Sequence, residues 1–394
     1  MLPPHISEGL WPARMKPKED ELLSSWLVRL AMAHGLKLHT FCVLAWPGKS
    51  IWNRDLDKSA DSELLDMLVS RTGYTRRTID ATTLADYEGK LYEKHNPFGN
   101  TLWVMPLGIY HRTRTQFGLQ FCPDCFHDDK EPYCRRKWRL AFVTVCEKHY
   151  KTLVDRCSYC GQAINFYRDE MGVRHKVAPS TMTGCHKCGN DLRCINASSI
   201  PRALVNLVNF QKSLLLSLQE GWRSVPGRGY VCSNLYFTAL HQVMRLLATG
   251  RQSKVLRDLC CRESGIESFA PAFPKKSRHI ERLSISERQI LLHLSYWLLD
   301  EWPYRFVRIC RDNNIWSSTL LRDLERAPFW YWSIVHEYLY RESYSPSDQE
   351  IESVISSLRK RGEPVNKKSI SRCLGVSDTF RKRARGCFNF LKTN

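Results

Sequence analysis

Eight residues of this chain fall into four pairs, each with two residues between its members. They are Cys122 and Cys125 in CPDC, Cys146 and His149 in CEKH, Cys157 and Cys160 in CSYC, and Cys185 and Cys188 in CHKC. That spacing lets two soft donors turn onto one ion, and Zn²⁺ needs two such pairs to complete a tetrahedron. Eight donors make two closed sites, one of three Cys and one His, the other of four Cys. A closed site has no open position for water. The expected chemistry is therefore structural: two Zn²⁺ per chain and no metal catalysis.

A disulfide framework is the other use for a chain with 16 cysteines. The N-terminal stretch MLPPHISEGLWPARMK argues against it, with prolines and charges where a secretory signal needs a continuous apolar core. A reducing compartment and metal binding are expected instead. Cys42, Cys232, Cys260, Cys261 and Cys310 follow no pair pattern and read as small buried apolar residues. Cys134, Cys194, His127 and His186 lie close enough to the pairs to replace a ligand, but none has the two-residue spacing.

The elements that must position these pairs read as helices on either side of a turn-rich centre. Leu23, Trp26, Leu27 and Leu30 recur as one face of an amphipathic helix, with Glu19, Asp20 and Glu21 at its positive end and Gly35 to close it. A second helix is expected over residues 62–70 and, after the Gly73 turn, a third over 76–84; together they suggest a helix-turn-helix unit. Beyond the metal segment, Pro201 opens a helix that Gly221 ends, and another covers about 235–247. Residues 271–279 (PAFPKKSRH) read as a linker, and helices resume at Ser284. The run Phe329 to Trp332 (FWYW) supplies bulky core or interface surface.

Two further helix pairs are expected in this half. In the first, Asn313 and Asn314 take the turn, Ser317 or Ser318 caps, and residues 319–324 form the second helix. In the second, Ile370 and Leu374 face a core, Gly375 turns, and Ser377 caps a helix carrying Arg381, Lys382, Arg383 and Arg385, with Arg372 just before the turn. Those five basic residues are either the phosphate and base contacts of a recognition helix or a solvated basic tail.

Charge points the same way. The chain holds 59 Lys+Arg against 40 Asp+Glu, a net charge of +19, which favours a polyanionic partner. Residues 1–120 carry 15 basic and 13 acidic side chains, but the last 36 residues carry 11 and 2, so the C-terminal end is the expected nucleic-acid contact. No apolar run approaches the ~18 residues a membrane span requires, so a soluble, cytoplasmic protein is expected. Gly48, Lys49 and Ser50 imitate a phosphate loop, but that motif needs glycine where Val43 stands, and a turn is expected. No HExxH, GxSxG or dinucleotide fingerprint is present, and no carboxylate pair stands out by spacing, so no enzyme is expected.

The ligand order also fits a RING cross-brace, in which the sites interleave. A RING has two or three residues between its second and third pairs, whereas seven separate His149 from Cys157, which lets each site use consecutive pairs. The rest of the chain decides the resemblance. ELLSSWLVRLAMAHGLKLHTF (residues 21–41), TLADYEG (83–89), FCPDCF, Trp138, CEKH, Leu153 and CSYCG together closely resemble the TniQ family, which includes TnsD proteins and selects targets for bacterial transposons. The length is similar to the short TniQ of CRISPR-associated transposons. That resemblance implies a bacterial, cytoplasmic homodimer attached to a Cascade ribonucleoprotein with its guide RNA and target DNA. The target then passes to an AAA+ regulator of TnsC type and, indirectly, to the transposase. A stand-alone, sequence-specific DNA-binding selector of TnsD type is the alternative.

The expected architecture is thus mainly α and multidomain, with helix-turn-helix units flanking a central tandem zinc-finger or zinc-ribbon module. Residues 1–110 would form the N-terminal helix-turn-helix domain and 111–195 the metal module. Residues 196–394 would form a helical domain with two helix-turn-helix-like units. The metal ions are expected to fix loops too small to bury a core of their own, so that binding energy is folding energy.

Overall fold

The computed structural model describes residues 9–110, 113–168, 182–274, 277–340 and 346–375. Among them the fold is mainly α, with fifteen α-helices and three two-stranded antiparallel sheets. The chain divides into two compact units, with the boundary after Tyr340. The expected boundaries at 110 and 195 both fall inside the first unit, where one apolar cluster runs from Trp11 to Leu339.

The first unit starts with α1 (Leu23–Ala33), α2 (Leu38–Ala45), α3 (Leu56–Ser59), α4 (Ser62–Thr72) and α5 (Arg76–Asp80). The expected helix at residue 23 is present, and Gly35, at φ 63°, turns the chain out of it. It is not amphipathic, however: every residue from Leu23 to Ala31 is buried. Its polar residues are satisfied inside. Asp57 accepts from the Ser24 N–H and hydroxyl at 2.8 and 2.9 Å, and Arg29 pairs with Glu21 at 2.6 Å. The acids expected at its N-terminus therefore serve as cross-links: Glu21 is 1% exposed, and Asp20 accepts from the Lys137 backbone N–H at 3.3 Å. The Asp61 side chain accepts from the Leu64 N–H at the start of α4, and Gly73 ends it at φ 73°. The third helix stops at Asp80 rather than 84, and a 3-10 turn, Leu84–Tyr87, follows. Lys49 of the phosphate-loop imitation pairs with Asp61 and Glu63, as a turn residue would.

The centre holds β1 (Ile109–Tyr110), β2 (Thr113–Arg114), α6 (Pro123–Asp128), β3 (Val145–Cys146) and β4 (Lys151–Thr152). Then come α7 (Val205–Glu220), the hairpin β5 (Trp222–Val225) and β6 (Gly229–Cys232), α8 (Ser233–Ala248) and α9 (Ser253–Ser264). The unit ends with α10 (Ile285–Asp300), α11 (Tyr304–Asp312), α12 (Ser317–Leu320) and α13 (Phe329–Leu339). Gly221 stops α7 in the left-handed region, as expected, and Ser284 and Glu287 cap α10 reciprocally. Helix α10 packs against α7, α8, α9 and α11, which makes it the spine of this half.

One expectation fails here. The helix assigned to residues 319–324 is the single turn α12, Ser317–Leu320, with Trp316 rather than a serine at its N-cap. Gln242 of α8 explains the early stop. Its amide donates to the Leu320 and Arg322 carbonyls at 2.8 and 3.1 Å, and Asp323 then turns left-handed at φ 62°. The aromatic run divides between both expected roles: Trp330 and Tyr331 are core, while Phe329 and Trp332 are 66% and 39% exposed.

The second unit contains α14 (Asp348–Lys360) and α15 (Lys367–Cys373), closed over Leu358 and Ile370. Ser347 and Glu350 cap the first of these, Asn366 caps the second, and Gly375 turns at φ 66°.

Candidate metal centres

The four pairs meet as two quartets of consecutive pairs. Cys122, Cys125, Cys146 and His149 form one, and Cys157, Cys160, Cys185 and Cys188 the other, each with its donor atoms within 4.8 Å of one another. The pairs do not interleave, so there is no cross-brace.

In the first quartet, His149 Nδ1 lies 3.3, 3.4 and 3.5 Å from the sulfurs of Cys122, Cys125 and Cys146, and Cys125 and Cys146 are 3.6 Å apart. In the second, Cys157–Cys188 and Cys160–Cys185 are 3.7 and 3.6 Å apart. A tetrahedral ion at a metal–sulfur distance of about 2.3 Å requires sulfur–sulfur edges of roughly 3.8 Å, and slightly shorter edges to nitrogen. A disulfide requires about 2.05 Å. The spacings fit a shared ion, and the thiolate and imidazole donors are of the type that holds one.

The two quartets are built differently. The second is one motif used twice. The Cys157 N–H donates to the Gln162 carbonyl and Gly161 N–H to the Cys157 carbonyl, both at 2.9 Å. Cys185 repeats this with Asn190 at 2.9 Å and Gly189 at 2.8 Å. Both glycines sit at positive φ, 69° and 75°, directly after the second cysteine, where a side chain would be strained. Bridges Arg156↔Ala163 and Gly184↔Asp191 flank the two turns. Asn190 also donates to Cys188 Sγ at 3.2 Å, and its backbone and side-chain bonds pull that thiol down to about 6.

The first quartet combines two unlike elements. Cys122 is the N-cap of α6, with Pro123 in the first turn, and Cys146 and His149 lie on the β3–β4 hairpin. Tyr150 occupies the position that glycine holds in the second quartet, at φ 54°. The ring nitrogen of His149 that faces away from the sulfurs lies 3.0 Å from Asp128, which Lys148 also contacts at 2.6 Å. A carboxylate there fixes Nε2 as the protonated nitrogen and leaves Nδ1 to ligate.

The rest of the unit grips the backbone that carries this quartet. Gln211 of α7, fully buried, accepts from the Thr144 and Val145 N–H groups at 2.8 and 3.2 Å and donates to the Val145 carbonyl at 2.9 Å. Gln289 of α10 donates to the Thr144 carbonyl and Thr152 hydroxyl, and Arg288, 1% exposed, donates to the Ala141 carbonyl at 2.6 Å. Phe121 stacks on Phe126 at 5.1 Å and Trp138 meets Phe126 edge-on. The expectation that these loops bury no core of their own therefore needs correcting: Cys122 and Cys157 are both 0% exposed inside the main apolar cluster.

The other ligand candidates stand aside. His127 is exposed beside Asp128, Cys134 is buried with its N–H donating to Ser25 Oγ at 3.0 Å, and neither they nor Cys194 or His186 belong to a quartet. Burial pushes the Cys42 and Cys260 thiols up to about 12, as suits inert core residues. The basic run at 135–139 is spent internally: Arg135 pairs with Asp129, Arg136 with Asp86, Lys137 with Glu147 and Arg139 with Asp55. Of the five expected nucleic-acid contacts, Arg372 is exposed and paired with Glu363, while Arg381, Lys382, Arg383 and Arg385 lie outside the described residues.

Sequence reasoning missed Asp128, Gln211, Gln289 and Arg288. Only Asp128 had a local signal, three residues after CPDC. The other three reach the site from helices more than 60 residues away.

The span from α1 through the first quartet, with its cross-linking acids, is the part that matches a known family. Residues 12–153 fit the model of the TniQ family. They form a TniQ domain. The domain ends just after β4, so the first quartet lies within it, and the second quartet and helices α7–α15 follow. No curated protein matches the chain. The TniQ domain points to target selection in DNA transposition. No single helix among the described residues is long and apolar enough to cross a membrane.

Proposed function

We propose that this chain is a target-selection adaptor in bacterial transposition, working in the cytoplasm without a reaction of its own. It would attach as a homodimer to an RNA-guided Cascade complex bound to target DNA. From there it would hand the site to an AAA+ regulator and so to the transposase. The TniQ domain over residues 12–153 carries this reading. The quartets support it, because four protein donors per ion leave no coordination position for a substrate, and we assign Zn²⁺ to both on their donor sets. The chemistry that zinc supplies is cross-linking: Cys122, Cys125, Cys146 and His149 would fasten α6 to the β3–β4 hairpin, and the other four cysteines would fasten two turns together.

The test is co-purification of the full chain with tagged Cascade subunits, together with light scattering of the chain alone. Recovery with Cascade and a mass near twice the 46.0 kDa of one chain are expected. Absence from the Cascade fraction would remove the adaptor role.

The 11 basic against 2 acidic residues in the last 36 favour a second reading, a selector that binds a specific DNA sequence directly. Tight binding to one duplex over scrambled duplexes, without any partner, would establish it. Loss of that binding when Arg381, Lys382, Arg383 and Arg385 are changed to alanine would place the contact in the tail.

A further inference from the structure

A cleft of about 510 Å³ opens between the end of α8, the first turn of α9 and the α11–α12 turn, away from both quartets. Its walls carry four arginines, Arg245, Arg251, Arg278 and Arg322, and one acid, Asp323. These groups are not equivalent. Arg245 is committed to the protein: it pairs with Asp323 at 2.6 Å, and its other nitrogens donate to Gln242 at 2.8 and 3.1 Å. That pairing cancels the acid. The Arg251, Arg278 and Arg322 side chains are exposed and make no hydrogen bond or ion pair with a described residue, although, after Arg245, Arg322 and Arg278 add to the positive field that lowers the Asp323 carboxyl. The cleft therefore presents three uncommitted guanidinium groups around one neutralised pair.

The walls themselves are held in place. Gln252 ties the start of α9 to the opposite wall, donating to the Asn314 carbonyl at 3.2 Å and accepting from the Thr319 hydroxyl at 3.1 Å. Asn314, at φ 55°, turns the chain back towards the cleft. Because Gln252 is used in this way, no side chain caps α9 and no acid lies in its first turn, so the positive end of a 12-residue helix is left open. Apolar side chains, Leu246, Leu256, Ile315 and Trp316, line the cleft beside the arginines.

We propose that this cleft binds the phosphodiester backbone of a nucleic acid. Three guanidinium forks match phosphate oxygens in geometry as well as charge. A single phosphate would engage one or two of them. A strand running along the cleft engages all three, with one phosphate near the α9 N-terminus. The site stands independently of the adaptor reading: it can fail while co-purification with Cascade succeeds, and the reverse.

The experiment uses the purified full chain with two probes of equal length, duplex DNA and single-stranded RNA, titrated between 50 and 200 mM salt. The variant is Arg251→Ala/Arg278→Ala/Arg322→Ala. It should keep the wild-type melting temperature, because none of the three side chains holds the fold. Binding of the preferred probe should weaken about tenfold or more, and the slope of log K against log salt should fall by about 2 to 3, one contact per arginine. The better probe identifies the strand. The matching lysine triple keeps the charge and should retain the slope while losing severalfold in affinity. Asp323→Asn removes the neutralising acid and should tighten binding. A wild type that binds neither probe, or an alanine triple with unchanged affinity and slope, would overturn the proposal.

Discussion

The two quartets share a donor count but not a manner of construction. The second is a repeat: two short turns of the same backbone pattern, with ligands that range from buried Cys157 and Cys185 to exposed Cys188. It can be assembled almost from local sequence, and an ion held there would supply most of what joins its halves. The first joins a helix start to a hairpin, buries all three of its cysteines, and is gripped by side chains from α7 and α10. An ion there would be one fastening among many. Two sites with the same formal chemistry thus stand in different relations to the fold: one joins two like turns that run from buried Cys157 to exposed Cys188, the other is clamped by helices from the second half of the unit.

The largest expected effect breaks that comparison directly. Cys125→Ser removes a buried ligand from the junction, leaving a buried hydroxyl and three donors with no closed shell. It should cost most of the stability of the first unit and yield insoluble or protease-sensitive protein. Cys160→Ser removes a half-exposed ligand from the repeat. It should lower the metal content from about two ions to about one per chain while the cooperative melting of the remainder persists. Elemental analysis and limited proteolysis read both. Equal damage from the two variants would show that the second quartet is as integral as the first. As a control, Cys260→Ser buries a hydroxyl in α9 and should cost about 1–3 kcal/mol with the metal content unchanged.

A smaller effect sharpens the role of the surrounding protein. Gln211→Ala leaves the Thr144 and Val145 N–H groups and the Val145 carbonyl without their partner beside β3. The expected loss is about 2–4 kcal/mol, from buried groups left unpaired, with both ions retained. Denaturant unfolding in the presence of zinc measures it. Loss of an ion from this variant would mean that the clamp, rather than the ligands, shapes the first quartet.

How much of this was legible beforehand follows the same division. The eight clustered residues and their consecutive pairing could be read because C-x-x-C is a local pattern, and so could the helix starts near Ser62 and Ser284 and the glycine stops at Gly73 and Gly221. What could not be read was tertiary. Helix α1 looked amphipathic because Ser24, Ser25 and Arg29 are polar, but they are buried against Asp57, Glu21 and Glu131. Those partners are scattered over 110 residues, and nothing in the helix announces them. The extent of α12 was missed for the same reason, since Gln242 in α8 captures the carbonyls that a longer helix would have used. The pairing of the basic run at 135–139 is partly tertiary in the same way: Arg136 and Arg139 meet Asp86 and Asp55, 50 and 84 residues away.

Next in size is the carboxylate behind the histidine. Asp128 accepts from the outward nitrogen of His149, and Lys148 with the histidine holds its carboxyl down at about 2. Asp128→Asn keeps the shape and removes the charge, so the imidazole becomes a poorer donor and its orientation looser. Affinity of the first quartet should fall about 10–100-fold, with the second unaffected. Chelator competition followed with a colorimetric zinc indicator would show one ion released earlier than in the wild type. Unchanged release of both would make Asp128 a surface residue with no share in the site.

The smallest effect tests whether the repeat relies on its glycines. Gly189 turns at φ 75° with nothing within 4 Å of where a Cβ would stand. Gly189→Ala therefore meets no clash, and its cost is the left-handed backbone alone, about 1–2 kcal/mol. The turn also sets the Gly189 N–H bond to the Cys185 carbonyl, so the ion bound by the second quartet should exchange severalfold faster. Tyr150 holds the equivalent position in the first quartet without being glycine. The junction tolerates that strain because other contacts hold the hairpin. Tyr150→Gly should relieve it and stabilise the first unit slightly. If instead Gly189→Ala is silent and Tyr150→Gly destabilises, the strain argument fails and the tyrosine side chain, which Lys212 contacts at 3.0 Å, is what the hairpin needs.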